Sequence, residues 1–122
     1  MSETYNPNCQ RCKRLTNFLV ETKDRHASYF CKPVPAFGEN KARLLIVGLA
    51  PGMHGANRTG RPFTGDYAGV SLYNNLYKYG FSNSKESTSS SDDLELINCK
   101  ITNAVKCLPP QNKPNGSEIN NC

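Results

Sequence analysis

Residues 43–69 read RLLIVGLAPGMHGANRTGRPFTGDYAG. The stretch opens as a short apolar run, Arg43-Leu44-Leu45-Ile46-Val47-Gly48, and passes into a loop that holds six of the nine glycines: Gly48, Gly52, Gly55, Gly60, Gly65 and Gly69. An apolar, β-branched segment ending at glycine predicts a strand buried on both faces of an α/β sheet. Glycine loses more backbone entropy on folding than any other residue, so its concentration marks backbone that must take positive φ or approach a ligand closely. In open α/β sheets ligands sit beyond the carboxyl ends of strands, where this loop lies.

Working outward, Asp66 is placed to cap a helix in which Val70, Tyr73, Leu76 and Tyr77 share a face and which stops at Gly80. The polar run from Ser82 to Asp93 has no apolar periodicity and reads as a mobile surface loop without evident chemistry. From Leu94 to Cys107, Ile97, Cys99, Ile101, Asn103 and Val105 alternate with polar or small residues, which predicts a second strand. Strand, helix and strand make a βαβ unit with parallel strands. Upstream, Leu15, Phe18 and Leu19 lie at helical spacing within Lys13 to Thr22, just after the Cys9-x-x-Cys12 pair. Residues 32–40, with two prolines and a glycine, predict an extended connection without regular structure.

The 122 residues amount to one domain or part of one. Residues 108–122, LPPQNKPNGSEINNC, break the pattern with prolines and stop at Cys122 just after a helix-start signal at Ser117-Glu118-Ile119. This ending reads as the N-terminal part of a single domain, residues 1–122, interrupted after its second strand.

Fifteen Lys and Arg against ten Asp and Glu leave a net charge of +5, which weakly favours an anionic partner. No segment approaches the roughly 20 apolar residues of a membrane helix, and the N-terminus lacks a secretory pattern, so a cytoplasmic, intracellular monomer is expected. Six cysteines are many for a reducing compartment, where clustered thiols more often bind metal than form disulfides.

Cys9 and Cys12 can turn two thiolates toward one centre, and Cys107 with Cys122 can close it from the other end of the chain. Cys31 and Cys99 read better as small packing residues. Zinc and a [4Fe–4S] cluster both accept four thiolates, and spacing does not separate them.

GLAPGMHGANRTGRPFTGD, followed by ITNAVKCLPPQNKP and framed by the CxxC and Cys122, resembles the type-5 (type-b), iron–sulfur-containing branch of the uracil-DNA glycosylase superfamily. The resemblance covers most of the chain from Cys9 to Cys122, although Ser82 to Asp93 has no distinctive counterpart. It implies a three-layer α/β/α fold around a short, mainly parallel sheet. It also implies a [4Fe–4S] cluster on Cys9, Cys12, Cys107 and Cys122, and excision of uracil and related deaminated bases from DNA.

Such an enzyme extrudes the target nucleotide into a pocket. Phe63 is then a stacking platform, or else a core residue. Cleavage leaves positive charge on the sugar and negative charge on the base. Asp66 answers the first as a catalytic carboxylate, or serves as the helix cap. Asn103 matches a position that reads the uracil edge, since an amide both donates and accepts; otherwise it satisfies local backbone. Asn112 is a second lining candidate or a turn residue. His54 and Asn57 either shape the pocket or hold the loop. Arg58, Arg61 and Lys113 meet phosphates or are solvated charges.

A complete member of the family carries further strands and a His-Pro motif. The only histidines here are His26 and His54, neither followed by proline. The isolated chain is therefore expected to be marginal in stability and weak in catalysis. The rival reading is a non-enzymatic metal- or iron–sulfur-binding module for nucleic acid. A phosphate-cradling protein is a third, but the loop lacks both GxxxxGK[ST] and GxGxxG.

Overall fold

The computed structural model describes residues 5–122. In chain order the elements are α1 (Lys13–Arg25), β1 (Phe37–Gly38), β2 (Leu44–Gly48), α2 (Ala56–Thr59), α3 (Ala68–Lys78), β3 (Cys99–Asn103), a 3-10 turn at Pro110–Asn112 and α4 (Gly116–Asn121). The sheet order is β1-β3-β2. β2 and β3 run parallel with Leu44 opposite Cys99 and Gly48 opposite Asn103, whereas β1 joins the far side of β3 antiparallel through two pairs. The sheet is thus short and mainly parallel, as expected, but residues 32–40 are not wholly irregular. Phe37 and Gly38 pair with Ile101 and Lys100 because Gly38, at φ 116°, lies so close to the Cys99 carbonyl that a side chain would collide with it.

α3 covers one sheet face. Tyr73 and Leu76 pack on Cys99, Ile101, Leu94 and Leu96, with Leu44, Ile46 and Phe63 at the margin. The expectation that β2 is buried on both faces does not hold. Leu45 and Val47 point the other way and are 57% and 56% exposed, since β2 is an edge strand and that face is open along it. A second cluster joins Leu15 and Leu19 of α1 to Val105, Cys107 and Leu108 after β3.

α3 begins one residue later than expected. Tyr67, not Asp66, occupies the cap position, and the Asp66 carboxylate instead accepts the Ala68 N–H at 3.2 Å. Only part of the proposed apolar face is buried: Val70 and Tyr77 are half exposed, and Gly69 takes the inner position beside Tyr73 and Leu76. The end is as expected. The Phe81 N–H reaches the Leu76 carbonyl at 2.7 Å and the Gly80 N–H the Tyr77 carbonyl at 3.2 Å, with Gly80 at φ 85°. This double closure satisfies carbonyls a helix end leaves free, and it needs the left-handed backbone that glycine takes without strain.

Candidate active site

Because β2 and β3 are parallel, their carboxyl ends reach the same edge of the sheet, and a cavity of about 260 Å³ opens there. Ala50, Pro51 and Gly52 of the glycine loop, Ala56, Ala68, Phe63, Asp66, Asn103 and Asn112 line it. Four of the five substrate and catalytic candidates read from sequence therefore meet in one place.

The glycines make that meeting possible. A Cβ at Gly48 would strike Asn103 Oδ1 and the Phe63 ring, so the strand end must be bare for amide and ring to approach. A Cβ at Gly52 would stand 2.8 Å from Asp66 Oδ2, and Gly55 is closer still. Gly69 lies beneath the Phe63 carbonyl, which leaves a side chain no room.

Phe63 itself is held at φ 54°. Left-handed backbone is strained for a bulky residue, at about 1–3 kcal/mol, and persists only where the surroundings enforce it. The buried Tyr73 hydroxyl donates to the Pro62 carbonyl at 2.6 Å, which fixes the turn from below. Tyr73 was legible only as a core residue; its hydroxyl is the part the periodicity did not reveal. Gln111 and Asn112 are also left-handed, at φ 56° and 58°, so the 3-10 turn that carries Asn112 to the cavity rim is strained as well.

Asn103 is 4% exposed, and its Oδ1 is buried without a hydrogen-bond partner among the described residues. Leaving a buried acceptor unmade costs about 1–3 kcal/mol, which a ligand donor would recover. Satisfying local backbone is thus not what this side chain does.

The other candidates lie elsewhere. His54 does not line the cavity. Its Nδ1 meets the Tyr29 hydroxyl at 2.8 Å, and Tyr29 stacks on His26 with ring centroids 4.4 Å apart. Asn57 is fully buried and donates to the Met53 carbonyl at 3.4 Å, holding the loop. Arg58 donates to the carbonyls of His54 and Gly65, at 2.6 and 2.5 Å.

Arg61 is not available to phosphate. It is 4% exposed, pairs with Asp92 at 2.6 Å, donates to Ser87 at 2.9 Å and lies 4.1 Å from the Phe37 ring centroid. The serine-rich loop is consequently anchored rather than idle. Burial alone would raise the Asp92 carboxyl, but the Thr88 N–H, the Arg61 guanidinium and the Leu94 N–H outweigh it and hold the group at about 2.

Just beyond Asn112, the Arg14 guanidinium donates to the Lys113 carbonyl at 2.9 Å and grips buried Glu118 through Nε at 2.9 Å and Nη2 at 2.7 Å, fastening α4 to α1. Asn115 and Glu118 complete a capping box on α4. Cys12 occupies the cap position of α1. Asn121 Nδ2 reaches Cys12 Sγ at 3.5 Å, which brings the Cys122 end of the chain to the CxxC.

Burial first, and then the charges of Cys122, Cys9 and Cys12, push the Cys107 thiol up to about 12. The Cys107 thiol thus lies within electrostatic reach of the other three. Among the described residues no three His, Cys, Asp or Glu side chains are yet arranged to hold a single metal ion. Four cysteine side chains are the donor chemistry that a thiolate-ligated metal group uses. Cys31 and Cys99 are buried in the two apolar clusters instead.

Residues 35–122 match the family model for the uracil DNA glycosylase superfamily, and the chain belongs to that superfamily. It is 46% identical over 119 residues to a type-5 uracil-DNA glycosylase of Thermus thermophilus, covering 93% of this chain and 54% of the relative. A type-5 enzyme of Pyrobaculum aerophilum is 44% identical over 119 residues, with 94% and 53% covered. A type-4 uracil-DNA glycosylase of the same organism is 38% identical over 90 residues, with 73% and 38% covered. The chain spans about half the length of the type-5 relatives it matches. Among the described residues no helix is long and apolar enough to cross a membrane.

Proposed function

We propose that this protein works in DNA repair, hydrolysing the N-glycosidic bond of uracil and related deaminated bases after the nucleotide has been extruded from DNA. The observation that carries this reading is the convergence of Phe63, Asp66, Asn103 and Asn112 on one cavity at the strand ends. Its volume of about 260 Å³ lies just under the range of drug-sized sites, in keeping with a ligand as small as a base.

In this reading Phe63 stacks on the extruded base, and the unpartnered Asn103 amide reads its polar edge. Asn112 closes the rim. Asp66 faces the sugar, where its charge stabilises the cation that develops as the base departs and orients the attacking water. Loss of the base is a charge separation, so a fixed anion beside the sugar lowers the barrier without reorganising.

Cys9, Cys12, Cys107 and Cys122 would hold a [4Fe–4S] cluster, which ties the two ends of the chain together and supplies no step at the glycosidic bond. Zinc on the same thiolates is the alternative. DNA is the partner, in keeping with the net charge of +5, and the protein acts as a cytoplasmic monomer.

Calorimetric titration with free uracil tests the site. Binding is expected in the wild type and lost, by about tenfold or more, in Asn103→Leu, which removes the reading amide at similar volume. Equal uracil affinity in the two proteins would remove Asn103 from base recognition.

A further inference from the structure

The cavity assigned to the base has a neighbour. A second cavity of about 210 Å³ lies between α3 and the serine-rich loop, lined by Val70, Tyr73, Asn74, Lys85, Glu86 and Thr88 among others. Phe63 and Asp66 line both cavities. The carboxylate therefore stands on the wall the two share.

An N-glycosidic bond joins a flat, uncharged base to a sugar that carries phosphates. A carboxylate that acts at the carbon between them has to stand where the halves meet, with a compartment on either side. We propose that the second cavity holds the sugar–phosphate part of the extruded nucleotide, with Lys85 pairing to its phosphate. This inference rests on the glycosylase reading of the first cavity.

Lys85 suits the role. It is exposed and makes no hydrogen bond or ion pair among the described residues, so no bond within the protein has to break before it meets an anion. The loop that presents it is fastened on both sides. Ser87 Oγ lies 2.6 Å from Thr64 Oγ1 and accepts from Arg61 at 2.9 Å. Asp92 accepts from the Thr88 N–H at 2.8 Å and from the Leu94 N–H at 3.1 Å.

A loop already ordered loses little entropy on binding, which favours a defined phosphate position over a diffuse one. Glu86 lines the same cavity and opposes the anion.

Titrating the protein with uracil, 2′-deoxyuridine and the 3′- and 5′-monophosphates of deoxyuridine separates the two cavities. One monophosphate is expected to bind about tenfold more tightly than deoxyuridine. Lys85→Gln should remove that gain without changing uracil affinity, and Glu86→Gln should enlarge it. The gain should also shrink with added salt in the wild type and respond less in Lys85→Gln.

If uracil binds but neither phosphate adds affinity, or if Lys85→Gln leaves the gain intact, the second cavity loses its assignment while the first keeps its own. If uracil itself does not bind, both assignments fall.

Discussion

The Asp66 carboxylate lies hard against the backbone of Gly55: a Cβ at residue 55 would come to 2.5 Å from Asp66 Cγ and nearer still to Oδ2. The catalytic candidate is held in place by the absence of a side chain eleven positions earlier. The glycine loop is thus a mould for a carboxylate as much as a rim for a ligand.

Gly55→Ala should therefore injure function more than folding. Overpacking at a tight contact costs about 1–3 kcal/mol, which the exposed carboxylate can partly relieve by swinging away. Displacing it by about 1 Å should lower excision by about 10²-fold. Thermal denaturation alongside an excision assay checks this, and a variant equally active to wild type would show that the contact does not position Asp66.

Asp92 makes stability depend on acid. Its folded carboxyl is held at about 2, below the ordinary value of 3.8, so as pH falls the unfolded chain takes up the proton first. The stabilisation from the Thr88 N–H, the Arg61 guanidinium and the Leu94 N–H should be complete above about pH 4 and lost as pH falls toward about 2. Denaturation midpoints measured across that window should slope steeply in wild type and more gently in Asp92→Asn. Parallel slopes would assign the acid response to other carboxyls.

The thiol set predicts a division among the six cysteines. Cys107→Ser should abolish bound iron and the visible absorption of anaerobically purified protein, whereas Cys31→Ser should leave both intact. Arg14→Ala, which frees α4 from α1, should lower iron content by loosening Cys122 without removing any ligand. Colourless protein with stoichiometric zinc would replace the cluster by zinc on the same residues.

Much of this architecture was legible where local pattern and tertiary environment agree. The alternation through Cys99, Ile101 and Asn103 became β3 with those three side chains buried, because one sheet face is covered and a one-residue slip would expose the whole apolar set, although the strand is shorter than the expected Leu94 to Cys107 and Ile97 is exposed. Gly80 ended α3 for the same backbone reason that predicted it.

What stayed hidden depends on partners far along the chain. Arg61 read as a phosphate contact or a solvated charge, because nothing nearby in sequence shows that Asp92 and Ser87 fold back upon it. Phe37–Gly38 is too short for any periodicity to announce. The apolar run of β2 predicted two buried faces, but covering Leu45 and Val47 requires a layer that the described residues do not supply. Within the site, residue types pointed to Phe63, Asp66, Asn103 and Asn112, and only coordinates could exclude His54 from the cavity.

The most direct test of the central claim compares Asp66→Asn with wild type in uracil release from a uracil-containing oligonucleotide, with DNA affinity measured on the same samples. The amide keeps the size of the carboxylate and removes its charge. Excision should fall by about 10²–10³-fold while binding changes by no more than about twofold. Equal excision rates at equal affinity would contradict the account, since the carboxylate on the cavity wall would then take no part in breaking the bond.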